Sequence, residues 1–258
     1  MVSTYATSTF TSFKLINRDI DKSIARTQSD PVVARETEYY KENISSIKTV
    51  EDFVGNYRIF NYAMKAFGLE DMAYAKAYMR KVLEGGVEDK DSFANRLNDD
   101  RFVNFAKTFN FATSGEATTS SVDVVQPVVD KYLRQTLEEN AGNEDQGVRL
   151  ALYFERAAPD VKSAYGILAD SALTEVVKTV FNLPSEMSSA DIEFQRKMIE
   201  NVLDIEDLKD PEKLEKMIQR FTVMWDATNN VSTSPVLSLF QDTSLDVSMS
   251  ILNLKYGG

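Results

Sequence analysis

The chain has 258 residues, 43% of them apolar and 27% charged, which is a globular composition long enough for one large domain or two small ones around hydrophobic cores. Its net charge of −11 opposes both a phosphate backbone and an anionic bilayer, so neither nucleic acid nor a membrane surface is an expected partner. It contains no cysteine and no histidine, which removes disulfides, thiolate metal sites, thiol catalysis and the usual histidine-based triads.

No cofactor is expected, since only carboxylates remain for metal binding, and those suit calcium or magnesium. The longest unbroken apolar run, Leu150 to Phe154, falls far short of the about 20 residues that a membrane-spanning helix needs. The start of the chain lacks the basic, apolar and small-residue pattern of a cleavable signal.

The periodicity predicts an all-α fold, a helical bundle built from two related multi-helix modules. Residues 1–12, rich in Ser and Thr, read as a flexible N-terminus. A first helical module then covers residues 13–112. It opens with Phe13, Ile16, Ile20 and Ile24 at helical spacing. Asp30-Pro31 is a helix start, with an N-cap followed by proline at the first helical position.

Thr49-Val50-Glu51-Asp52 fits a capping box, and Phe53, Tyr57, Phe60, Met64 and Phe67 form the stripe behind it, stopped by Gly68. Glu70 to Leu83 reads as a further helix ended by Gly85-Gly86. Asp99 or Asp100 caps another, carrying Phe102, Phe105, Ala106 and Phe109.

Residues 113–121 are Ser/Thr/Gly-rich and read as a linker. The second module covers 122–230. It comprises a helix from Val124 to Asn140, a turn at Ala141 to Gly147, and helices through Leu150, through Ala164 to Asn182, and from Ser189 or Asp191. The last opens at Asp210-Pro211-Glu212. The tail, 231–258, carries Leu245, Val247, Met249, Ile251, Leu252 and Tyr256, a pattern compatible with strand or helix. It either packs back on the body or serves self-association with another subunit.

The two modules can be laid on each other in three colinear blocks. Ile59 to Leu69 matches Leu173 to Leu183, and Tyr74 to Glu84 matches Phe194 to Asp204. Leu97 to Asp99 with Phe102, Phe105, Ala106 and Phe109 matches Leu208 to Asp210 with Leu214, Met217, Ile218 and Phe221. The second copy has the shorter connection before its last helix. Helical repeats of this kind stack to share a core and offer one face to partners.

The acidic pairs Glu138-Glu139, Asp99-Asp100 and Glu206-Asp207 read as helix caps and first turns, not as a carboxylate dyad across a cleft. Asn143 to Gly147 lacks the ligand pattern of a calcium loop and reads as a turn. The aromatic set is denser than a small helical core requires. Any tyrosine left on the surface is a natural contact for a partner protein, which makes Tyr39, Tyr40, Tyr62, Tyr74 and Tyr78 the candidate partner-binding residues.

Several strings carry a family resemblance: Glu36 to Tyr40, Tyr62 to Met72, Arg80 to Gly86, Phe105 to Phe111, Gly147 to Phe154 and Arg220 to Asp226. Together they resemble an alphaproteobacterial family of unknown function encoded in flagellar gene clusters, whose members carry this helical module in one or several copies. The resemblance spans roughly residues 13–230 and implies no catalytic residues. It implies a non-catalytic binding or assembly component of the flagellum whose partners are other flagellar proteins. Such a protein is flagellum-associated, exported without a cleavable signal, or else cytoplasmic. The alternative functions are a cytoplasmic chaperone or adaptor for an exported flagellar subunit and, in another class, a carboxylate-based hydrolase.

Overall fold

A computed structural model of the chain describes residues 8–97 and 99–229. Among the described residues there is no strand, and no helix is long and apolar enough to cross a membrane. The tail at 231–258, left open between strand and helix and between packing and self-association, lies outside the described residues.

Polar caps divide the chain into short helices. Ser8 accepts from the Thr11 amide and starts α1 (Thr9–Asn17); Asp19 accepts from the Lys22 amide and starts α2 (Ile20–Gln28). Residues 8–12, expected in the flexible terminus, are therefore cap and helix, and Thr9 is fully buried. Asp30 caps α3 (Pro31–Asn43), and the Thr49/Asp52 box opens α4 (Val50–Gly55). Each such cap contributes about 1 kcal/mol. Asn56 caps α5 (Tyr57–Ala66). The helix expected over Glu70 to Leu83 is a 3-10 turn at Glu70–Met72 followed by α6 (Lys76–Glu84).

Next come α7 (Phe93–Arg96), α8 (Asp100–Thr108, capped by Asp99) and α9 (Phe111–Ser114). The 23-residue α10 (Val122–Glu144) runs on through Ala141, Gly142 and Asn143, where the sequence pattern predicts a turn. Only Asp145 separates it from α11 (Gln146–Ala157). The periodic stretch after it breaks at Asp170 into α12 (Ala164–Ala169) and α13 (Ser171–Phe181). Then follow α14 (Ile192–Glu200), a 3-10 turn at Ile205–Lys209 and α15 (Pro211–Asn229).

The two modules run the same course. A long helix (α3 or α11), a 3-10 turn, a short helix (α4 or α12) and a longer one (α5 or α13) lead to α6 or α14 and then to α8 or α15. Gly68 and Asn182 fall at matched positions, and both adopt left-handed backbone, φ 67° and 50°. The following amides close the same helix-end bond, Leu69 to the Met64 carbonyl at 2.8 Å and Leu183 to the Lys178 carbonyl at 2.9 Å.

The second block of the sequence match needs a correction. The helix bounds set Tyr78-Met79-Arg80-Lys81 of α6 against Phe194-Gln195-Arg196-Lys197 of α14, one turn from the pairing that began at Tyr74. A slip of one turn keeps the same face apolar, so periodicity alone could not fix the register. In this register Arg80 meets Glu51 at 3.2 Å and Arg196 lies 5.9 Å from the Tyr165 ring, and Glu51 and Tyr165 are both second residues of their helices.

The residues fall into two hydrophobic cores. One is built around Tyr40, Phe53, Phe60, Met64, Phe105 and Phe109, with Val124, Val128, Val129 and Leu133 supplied by α10. The other joins Phe13 of α1 and Ala141 of α10 to Leu152, Phe154, Ile167, Val177, Ile199 and Phe221. The change from one core to the other lies inside α10, and the N-terminal helix packs in the second core. The stretch expected as a linker is part of the first body: Thr118 and Thr119 are buried, and the Thr119 hydroxyl donates to the Ile47 carbonyl at 2.6 Å.

Candidate functional site

Of the five candidate tyrosines, two are core. The rings of Tyr40 and Tyr62 stack at 4.5 Å, and Tyr62 stacks on Tyr132 at 3.8 Å. Tyr40 donates to the Val124 carbonyl at 2.7 Å, and the Tyr62 hydroxyl bonds that of Thr37 at 3.1 Å. Burial raises the pKa of both phenols and pushes Tyr132 up to about 12. Tyr40 and Tyr62 thus serve to hold α3, α5 and α10 together and cannot contact a partner.

Tyr39 is half-buried beneath the Arg58 guanidinium, 3.8 Å from the ring centroid, and Tyr78 lies edge-on to Phe93 and Phe102. Tyr74 alone among the five is well exposed, at 82%.

Where the modules face each other, α5, α8 and α10 meet α11, α12 and the start of α13 across a cleft with charged side chains on both walls and two lobes of about 560 and 710 Å³. Gly68, Arg101, Gln135, Tyr153 and Asp170 line both lobes. Arg101 is held by Asp99 at 2.8 Å and donates to the Gly68 carbonyl at 2.9 Å. Burial opposes its charge, but the Asp99 carboxylate outweighs that and keeps its pKa above the usual value.

Across the cleft Tyr153 donates to Asp170 at 2.5 Å, and the other oxygen of Asp170 caps α13 through the Ala172 and Leu173 amides. Burial first, then the Asp170 charge, raises the Tyr153 pKa. Beneath them Glu138, only 1% exposed, accepts from Arg134 at 2.9 Å and from Arg156 through two bonds of 2.8 Å.

The acidic pairs are thereby accounted for. Glu138-Glu139 lies inside α10, not at a cap as its sequence pattern suggests, with Glu139 2.5 Å from Lys65. Asp99 is a cap, Glu206 pairs with Lys209 at 2.6 Å, and Asp207 pairs with Lys213. Among the described residues no three acids gather as a metal site. Asp145 caps α11 through the Gly147 amide and also accepts from the Thr9 hydroxyl, which anchors the N-terminal helix.

A second surface has no counterpart among the sequence candidates. On α12, α14 and the turn after it, Tyr165, Ile192, Phe194 and Val202 are all exposed, Phe194 at 56% and Val202 at 39%. Arg196, held by Glu193 at 3.1 Å and by Glu200, lies beside Tyr165 on one side of α14, whereas Phe194 projects from the other. The one available signal was Phe194 in the register that sets it against Tyr78, combined with the shorter connection that follows α14. Periodicity put Phe194 on an apolar stripe and could not show that the stripe lacks cover.

The model of a family described as protein of unknown function (DUF1217) matches residues 66–214, more than half the chain. The chain belongs to this family. The match begins at the end of α5 and ends in α15, so it takes in both walls of the cleft and the whole α12–α14 surface. The DUF1217 chain is also similar to an X-ray structure of an Agrobacterium tumefaciens protein solved as a structural genomics target. The two share 51% identity with a TM-score of 0.80, over 89% of this chain and 97% of that one. No curated protein matches.

Proposed function

We propose that this DUF1217 protein is a non-catalytic binding component of the bacterial flagellum, and that it meets its partner through the face formed by α12 and α14. The observation that carries the reading is the exposure of Tyr165, Ile192, Phe194 and Val202 on these helices and the turn after them, with an immobilised arginine beside Tyr165. Exposed aromatic and arginine side chains are the composition that dominates protein-protein binding energy. The cleft supports the non-catalytic half of the reading, because Asp99, Asp170 and Glu138 are each committed to arginine, tyrosine or helix-cap bonds. The flagellar setting rests on the family resemblance set out from the sequence.

The test is affinity capture from motile alphaproteobacterial cells with the wild-type chain and with a Tyr165→Ser/Phe194→Asp variant as baits. The wild type is expected to retain flagellar proteins, and the variant to lose them while keeping its helical circular dichroism. Equal capture by both baits would move the partner to another face. Capture of no flagellar component would remove the flagellar reading.

A further inference from the structure

The two modules differ in how their matched helices are covered. In the first, α6 is packed by α4, α7, α8 and α9. Tyr78, the match of Phe194, lies 5.0 Å from Phe93 and 5.8 Å from Phe102, and Gly86 is the match of Val202. Part of this cover comes from chain that follows the last repeat helix. After α8 the backbone turns at Phe109 and α9 comes back onto α6, so closely that a methyl group on Gly86 would sit 3.0 Å from the Ala112 side chain. In the second module α14 packs chiefly against α12, and α15 runs on straight to Asn229 where α8 had turned. Phe194 and Val202 are left bare, yet chain remains: residues 230–258 follow.

Both modules are followed by the same kind of sequence. Ala117-Thr118-Thr119-Ser120-Ser121-Val122 comes after the first and Val231-Ser232-Thr233-Ser234-Pro235-Val236 after the second. In the first, this Ser/Thr stretch lies against its own module, with Thr119 bonded to Ile47. In the second, the stretch leads into Val236, Leu237, Leu239 and Phe240. The length fits a return. The 19 residues of α15 rise about 28 Å, and an extended chain covers that distance in about eight or nine residues. Counting from Asn229, a chain returning along α15 would bring the apolar group at Val236 to Phe240 level with the connection between α14 and α15.

We propose that the segment Val236 to Phe240 of the same chain docks on the bare side of α14, covering Phe194 and Val202 as α9 and Phe93 cover α6. The inference rests on reading that face as the docking surface, and it adds regulation: the partner must displace a built-in occupant. Binding is then weakened in proportion to the fraction of time the segment is seated.

The natural absence of cysteine makes the contact measurable in the full-length chain. Val202→Cys is combined with Leu239→Cys, and as control Val32→Cys, an exposed site on α3, with the same Leu239→Cys. Mild oxidation of the purified protein is followed by peptide mass analysis of the monomer. The Val202 pair is expected to close within one chain at least about tenfold faster than the control, because a docked segment raises the local concentration of its thiol. Equal rates would overturn the proposal. So would a bond found only in dimers, which would make a second copy the occupant.

A second readout is hydrogen exchange in the full-length Leu237→Asp/Leu239→Asp/Phe240→Asp variant. Amides of α14 should exchange about tenfold faster and those of α3 should not change; an unaltered α14 would also overturn it. Neither assay contains a partner, so failure here is distinct from failure of the capture experiment.

Discussion

In the first module Tyr78 is wedged between two phenylalanine edges, whereas Phe194, its match in the second, faces outward with more than half its surface accessible. The same helix is an interior wall in one copy and an outer face in the other. Similar exchanges occur elsewhere. Glu36 of α3, bound to Arg58, stands where α11 has the buried Leu150. Val33 of α3 stands where α11 has Gly147, because Trp225 crosses there so closely that a methyl group would meet its ring at 2.3 Å. A duplicated module keeps its helix ends and its core period while its surfaces are free to diverge, since a surface position is constrained only by what covers it.

The largest expected effect is at the seam where the modules meet. Glu138→Ala would leave Arg134 and Arg156 facing each other without their shared carboxylate, at a cost of about 3–5 kcal/mol in urea unfolding. A loss below about 1 kcal/mol would mean that the modules do not depend on this seam. Next comes Gly147→Val, which installs the first module's residue in the second. Overpacking against Trp225 and Thr9 should cost about 1–3 kcal/mol, while Val33→Ala should not disturb α1. Tryptophan fluorescence reports the displacement of Trp225 directly.

Smaller again is the matched pair on α6 and α14. Tyr78→Ser is expected to cost about 2 kcal/mol and Phe194→Ser about 1 kcal/mol or less, and equal losses would erase the distinction between wall and face.

The smallest effect is in the response to acid. The hydrogen bond from Arg58 holds the Glu36 carboxyl below its usual pKa, so its contribution is complete above the unfolded value of about 4.3 and fades as pH falls through the folded one. Glu36→Gln should therefore narrow its stability gap to wild type as pH drops from about 7 to about 3, whereas Leu150→Met should show a gap independent of pH.

Helix starts and stops were legible because their chemistry is local. Asp30-Pro31, the Thr49/Asp52 box, Gly68 and Asp210-Pro211 act as their residue types dictate. The turn expected over Ala141 to Gly147 is present but shrinks to Asp145, and Gly142 stays helical with the stem of Arg149 against it, 2.7 Å from where a side chain would begin. Tyr40 and Tyr74 show the same limit for the candidate site. Both sit on aromatic-rich helical segments, and only the fold decides that one is sealed under α10 and the other faces outward. The face on α14 was illegible for a related reason, since exposure depends on which segments do not return to cover it.

The position of α10 separates two things that usually coincide, the stretch that was copied and the stretch that folds. The matched positions run from α3 to α8 and from α11 to α15. The cores, by contrast, are divided partway along α10, and α1 crosses over to the second. A gene cut between the copies, at residues 113–121, would strip the first core of Val124, Val128 and Val129 and leave the second core carrying them into water. Cutting at the repeat boundary is therefore expected to yield two insoluble halves, each missing a piece that the other holds.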